Sequence, residues 1–224
     1  MSSIVISKVS GLRFSNVYMI EQGDGLTLVD TGTSSDYERI ISFLESVGKN
    51  VTDIKLIILT HSDADHSGSA ARLRHNSGAK IAIHRLDASR VSGKKQLKEV
   101  NSKVGALLLK TFNMFMKFDA FEPDIIIEDG DTLGQLKVIH VPGHTEGSIC
   151  LYLPDIALFS GDTLRTTNGG VSLPSNYLNF DSKLIRNSVK KLGNLKYNQL
   201  YPGHGEPIMN DADKEVAKLI DSLR

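Results

Sequence analysis

The sequence predicts an α/β fold in which two stacked β-sheets carry their helices on the outside. Three observations point that way. Short β-rich runs alternate with longer stretches of helical periodicity. That order, strands first and then a helix, occurs once in the earlier part of the chain and again in the later part. Of the 224 residues, 40% are hydrophobic and a further 19 are glycine, the composition of a globular protein. The expectation is one domain over residues 1–224, interrupted by an insertion at 85–121.

Residues 4–9, 17–22 and 26–30 read as strands, with Gly23-Asp24-Gly25 turning between the last two. Residues 36–47 place Ile40, Ile41, Leu44 and Val47 on one helical face and stop at Gly48, a C-cap residue. Residues 54–59 are almost continuously apolar, the pattern of a strand covered on both faces. A helix over 67–76, ended by Gly78, and a strand over 80–84 follow. Residues 85–121 break the rhythm. Helical spacing runs from 97 to 118 through Val100, Val104, Leu107, Leu108, Phe112, Phe115 and Met116, and Pro123 follows. Strands return at 125–127, 136–141, 148–153 and 157–160. A helix over 183–192, a strand over 199–201 and a helix over 211–223, capped by Asn210 or Asp211, complete the chain.

Lys and Arg total 26, as do Asp and Glu, so the formal net charge is zero. That balance provides no global attraction to nucleic acid or to an anionic membrane. No apolar run approaches the ~20 residues of a membrane helix, and the first fifteen residues lack the pattern of a secretory signal. The single cysteine, Cys150, allows no internal disulfide and fits a reducing compartment. The expected setting is cytoplasmic and the expected partner a small molecule.

The chemistry concentrates around histidine. His61, Asp63, Asp65 and His66 stand directly after the strand ending at 59, where open α/β sites form. In an extended turn, residues 61, 63 and 65 would point the same way, and His66 would join them as a helix begins. Taken alone, such a cluster is as readily a surface turn as a metal site. Three later elements decide between them. His144 follows the strand over 136–141 in Pro142-Gly143-His144-Thr145-Glu146-Gly147; Asp162 follows the strand over 157–160 in Ser160-Gly161-Asp162-Thr163. His204 follows the last strand in Tyr201-Pro202-Gly203-His204-Gly205. Each has a glycine beside the ligand-type residue, which lets the backbone turn tightly. Four strand ends offering His and Asp suit a ligand shell for two metal ions.

With these motifs in order, the sequence resembles the metallo-β-lactamase fold, in the hydrolase branch that holds glyoxalase II-like and lactonase-like enzymes. The resemblance runs from Val29-Asp30-Thr31-Gly32 to Gly203-His204-Gly205 and leaves out only the 85–121 region. It implies a four-layer αββα sandwich with the metals in a cleft at one edge of the sheets. Position by position, it implies one metal on His61, Asp63 and His144, and another on Asp65, His66 and His204. Asp162 would bridge them, and Asp30 would buttress the metal loop from behind. A water or hydroxide shared by the two cations would be the nucleophile, with Asp65 passing the proton to the leaving group.

The departure from the family pattern is Asp63, which stands where the second His of His-x-His-x-Asp-His is usual. Asp63, Asp65 and Asp162 then bring three carboxylates to the two cations. Zinc is the family's first expectation; an oxygen donor at 63 is harder than imidazole and shifts that position toward iron or manganese. A carboxylate there also resembles the flavodiiron proteins, but no flavodoxin domain accompanies it.

The implied activity is hydrolysis of a small ester, thioester or lactone. An oxidoreductase alternative is a persulfide dioxygenase with one iron on His61, His144 and Asp162, or a diiron enzyme; a third is a non-catalytic metal-binding module. A nuclease of this fold would carry a large inserted domain and a basic groove. A full glyoxalase II adds a C-terminal helical domain, whereas 20 residues follow His204. His75 and His140 read as structural, and His84, at a strand end, as a residue that lines the cleft or supports it. Cys150 reads as a small buried hydrophobe. Tyr177 is a candidate oxyanion donor on the 172–180 lip. The insertion reads as a cover for a sheet edge, as a lid whose Leu108, Phe112, Phe115 and Met116 form an apolar wall, or as a homodimer contact.

Overall fold

The structure is a computed structural model that describes residues 4–23, 25–95, 100, 105–107, 119–167 and 170–223. Two compact units emerge, Met1–Leu97 with Thr111–Ile126, and Lys98–Lys110 with Ile127–Arg224. Each is built on one six-stranded sheet.

The first sheet has the order β1-β2-β3-β4-β5-β6, with β1 Val5–Lys8, β2 Tyr18–Gln22, β3 Gly25–Val29, β4 Ile54–Ile58, β5 Lys80–His84 and β6 Ile125–Ile127. β2 and β3 form the expected antiparallel pair, Tyr18 opposite Val29. β3, β4 and β5 are parallel to one another. Parallel pairing requires helical crossovers: α1 Tyr37–Ser46 joins β3 to β4, and α2 Ala64–Ser67 with α3 Ala70–Ser77 joins β4 to β5. Ile40 and Leu44 of α1 pack with Leu28, Ile57 and Ile81 in one buried cluster. α1 ends as expected, with Gly48 at a positive φ of 72° just past it.

Three local expectations change. β4 is not closed on both faces throughout, because Lys55 is exposed and Leu56 half-buried while Ile57 and Ile58 are buried. The helix expected over 67–76 is two helices, and the first begins at Ala64, inside the ligand cluster. The break between them lies where the chain passes hard against residues 32–34. The Gly68 N–H bonds Gly32 O at 2.9 Å, and a Cβ at 68 would stand 2.4 Å from Ser34 N. Asp63 is extended at the N-cap of α2 (φ −65°, ψ 144°), whereas Asp65 lies within the helical turn, so the extended alternation stops at 63.

Past β5, α4 Arg85–Val91 opens the segment predicted as an insertion, and Phe121 near its end is buried in the first unit's core. Most of the predicted 97–118 helix, with Leu108, Phe112, Phe115 and Met116, lies outside the described residues; 105–107 are helical.

The second sheet runs β11-β10-β9-β8-β7, with β12 paired to β10. Its strands are β7 Thr132–Leu133, β8 Leu136–His140, β9 Ile149–Leu153, β10 Asp155–Thr167, β11 Gly170–Ser172 and β12 Tyr197–His204. β10 continues through 161–163 instead of ending at 160. Gly161 adopts a φ of 48°, and the register against β12 shifts on both sides of it. A bulge thus re-aims the strand without ending it. β12 is longer than the predicted 199–201, and His204 is its last residue. The helix expected over 183–192 is α5 Ser182–Ser188 followed by a 3₁₀ turn, Val189–Asn194. α6 Ala212–Ser222 closes the chain, with Asp211 at its N-cap position. Its Val216 and Ile220 share a buried cluster with Cys150, Leu158 and Leu200. Among the described residues no helix is long and apolar enough to cross a membrane.

Candidate metal centre

In the first unit the donors sit just beyond β4. His61 and His66 are buried, with ring centroids 4.2 Å apart. His61 Nε2 lies 3.7 Å from Asp63 Oδ2, and His66 Nε2 lies 3.7 Å from Asp65 Oδ2. Buried groups behind them fix which ring nitrogen faces forward. Asp30 Oδ2, almost fully buried, is 2.8 Å from His66 Nδ1. A carboxylate only accepts, so Nδ1 donates and Nε2 keeps its lone pair. The Thr60 hydroxyl donates to the same Asp30 oxygen at 2.8 Å and lies 3.0 Å from His61 Nδ1. Its own proton committed, it accepts from Nδ1–H, and His61 takes the same tautomer. The Asp30 carboxylate therefore stands behind both imidazoles, once directly and once through Thr60, as the buttress expected of it. Asp30 itself has a φ of 61°, and its N–H bonds Ile58 O, so β4 holds it in this left-handed conformation. The Ser15 hydroxyl donates to Asp65 O, tying the β1–β2 loop to the same turn.

The second unit presents His144, Asp162 and His204. Asp162 Oδ2 is 3.4 Å from His144 Nε2 and 3.1 Å from His204 Nε2, so one carboxylate oxygen is shared by two imidazoles. His144 is buried and sits in the turn after β8, and two carbonyls of that turn are taken by the loop leading into α5: Phe180 N–H bonds His144 O and Asp181 N–H bonds Gly143 O. Asn179 Oδ1 is 3.1 Å from His144 Nδ1, while its amide nitrogen donates to Ser182 Oγ. The amide oxygen accepts, and Nε2 again carries the lone pair toward Asp162.

The donor sets suit a metal. Two donors about 2.0–2.2 Å from a tetrahedral ion stand roughly 3.3–3.6 Å apart, and the spacings within each unit, 3.1–3.7 Å, bracket that range. Lone pairs and carboxylate oxygens facing one another are stabilised by a cation between them. The other histidines have different tasks. His84 is buried as the N-cap of α4, accepting from Leu86 N–H; His140 Nε2 bonds Glu146 O at 2.9 Å; His75 lies in the last turn of α3. Cys150 is fully buried, and burial pushes its thiol up to about 12, so it is no nucleophile. Tyr177 is 57% exposed.

Thr60, Asn179 and Asp87 were not apparent from the sequence as functional residues. Asp87, fully buried on α4, accepts the Ser62 N–H at 2.8 Å. Thr60 adjoins the cluster in sequence and was a findable candidate. Asn179 and Asp87 act across 35 and 25 residues, and no local spacing marks them.

Comparison with known proteins places these donors in a family. A profile described as the metallo-beta-lactamase superfamily matches residues 10–204, a span that includes all seven donors. A probable metallo-hydrolase of Methanocaldococcus jannaschii is 28% identical over 90% of this chain and 93% of its own length. A hydroxyacylglutathione hydrolase of Francisella tularensis is 30% identical over 72% of this chain and 54% of its own length. This chain spans just under two thirds of two further curated relatives, 64% and 62%. In fold it is similar to BJP-1, a subclass B3 metallo-β-lactamase of Bradyrhizobium japonicum. The TM-score is 0.69 at 21% identity, over 97% of this chain and 90% of that one. The expected architecture, an α/β sandwich of two sheets with helices, is thus the architecture of this chain. Motif order, donors fixed from behind and a profile match across both sheets have one consequence: the chain belongs to the metallo-β-lactamase superfamily.

Proposed function

We propose that this protein is a metal-dependent hydrolase that cleaves a small ester, thioester or lactone. The reading places one divalent cation on His61, Asp63 and His144, another on Asp65, His66 and His204, and Asp162 between them. The observation that carries it is Asp162 Oδ2, which approaches the Nε2 atoms of two different histidines at 3.4 and 3.1 Å. Bound cations would supply Lewis acidity, polarising a carbonyl oxygen and lowering the pKa of water. The protein's own residues do the rest. Asp30, Thr60 and Asn179 hold three imidazoles in one tautomer, so their orientation is set before a substrate arrives. Asp65 carries the mobile proton, since a carboxylate at that point can accept it and return it to the leaving group. Zinc is the first expectation for the family, and the oxygen donor of Asp63, standing in place of an imidazole, shifts the position it joins toward iron or manganese. The name of the Francisella relative, a hydroxyacylglutathione hydrolase, supports trying thioesters first.

The test is elemental analysis of protein purified without added metal, anomalous diffraction at the zinc, iron and manganese edges, and assays on ester, thioester and lactone panels. Two cations per chain with hydrolysis are expected. One iron with oxygen uptake on a persulfide would overturn the proposal, and so would the absence of stoichiometric metal.

A further inference from the structure

The peptide units on either side of Ser62 are gripped by different elements. Ser62 is buried, and its N–H donates to Asp87 Oδ2 at 2.8 Å. Its carbonyl accepts from the Ser67 hydroxyl at 3.3 Å, and that hydroxyl also lies 3.1 Å from Asp63 O. Ser62 separates His61 from Asp63, whose donor atoms are 3.7 Å apart. Asp87 is fully buried in the first turn of α4, the helix that starts where β5 ends. Removing a carboxylate from water is costly unless hydrogen bonds or charge compensate it. An ionised carboxylate accepting a backbone N–H forms one of the stronger hydrogen bonds. Asp63 also has a shorter arm than the imidazole usual at its position. A shorter arm leaves its oxygen less able to correct a backbone error by rotation, so the backbone itself has to be placed well.

We propose that Asp87 is a positioning residue for the cation held by His61 and Asp63: it fixes the His61–Ser62 peptide and so sets the separation of the two donors. This rests on the two-cation reading above. Asp87 is placed to touch neither substrate nor cation; it acts through Ser62. The expectation is selective. Loss of the acceptor at 87 weakens one cation position and leaves the one built on Asp65 and His66 in place.

Metal-free wild type, Asp87→Ala and Asp87→Asn would be titrated with Co²⁺, with affinities measured by chelator competition, binding followed by visible absorption, and apo-protein folding checked by circular dichroism. In Asp87→Ala, the affinity of one of two positions should fall by about 10- to 100-fold, as for other outer partners of metal ligands. The other should stay near wild type. Asp87→Asn keeps an oxygen that can accept the Ser62 N–H and should retain both positions. Unchanged affinities in Asp87→Ala overturn the inference, whether the wild type holds two cations or one, as does equal weakening of both positions. If Asp87→Ala does not fold, Asp87→Asn decides: two retained positions support the role and loss of one overturns it. A wild type that binds no Co²⁺ overturns the hydrolase proposal together with this inference, whereas two cations unaffected by either substitution overturn this inference alone.

Discussion

Asp162 makes the residue-scale case most sharply, because a single oxygen of its side chain faces two imidazole nitrogens. Alanine at 162 removes the shared donor, and alanine at 61 removes a buried imidazole whose tautomer is already set. Each substitution should abolish hydrolysis and take bound metal with it. Unchanged metal content by elemental analysis would remove these residues from the centre. Asn179 should behave differently, since its amide only orients His144. Asn179→Ala should keep a folded protein and lower kcat/KM by about 10- to 100-fold, while Asn179→Asp, which retains an acceptor, should recover most of the loss. The seven candidate donors stand out in the sequence, because ligand-type residues clustered after a strand or beside glycines at strand ends are a local signal. The groups that hold them were less so. Asp30 was recognisable only by family resemblance, and Asn179 and Asp87 reach their targets through folding alone.

At the scale of elements, the donors are delivered by two devices that periodicity does not reveal. One is the bulge at Gly161, where a φ of 48° lets β10 run past Asp162 without ending. Strand rhythm predicts an end there, because a glycine followed by an aspartate ordinarily signals a turn. The other is the break between α2 and α3. Apolar spacing merges these helices, and what separates them is the close passage of residues 32–34 against Gly68. The backbone φ at Gly68 is ordinary, −63°, so the constraint is space and not handedness. Gly68→Ala must move Thr33 and Ser34 or the helix start that carries Asp65 and His66. The expected cost is about 1–3 kcal/mol, the usual price of overpacking, read as a lower urea midpoint. Metal affinity should fall with it. A variant with the wild-type midpoint would show that the loop over 32–34 yields freely.

At the scale of the whole molecule, both sheets were predictable from the alternation of runs, and the family match crosses them both. The short strands β7 and β11 were not, since two or three half-exposed residues make no pattern. Stability at high pH follows from what the second sheet buries. Burial of the Cys150 thiol raises it from 9.0 to about 12, and burial of the Tyr197 hydroxyl raises that group from its ordinary 10.0 as well. The folded chain therefore keeps protons that the unfolded chain gives up. The contribution of Cys150 is fully present below about pH 9 and is lost as pH climbs toward about 12; Tyr197 adds a loss of the same sign from about pH 10 upward. By about pH 10.5 the thiol alone should remove on the order of 2 kcal/mol. Urea midpoints measured between about pH 8 and pH 10.5 should fall steadily in the wild type. Cys150→Ala lowers the midpoint near pH 8 by leaving a small cavity, but its slope with pH should be shallower, so the gap to wild type narrows as pH rises. Equal slopes in the two proteins would show that the thiol does not drive the alkaline loss, leaving the Tyr197 hydroxyl as the group to vary next.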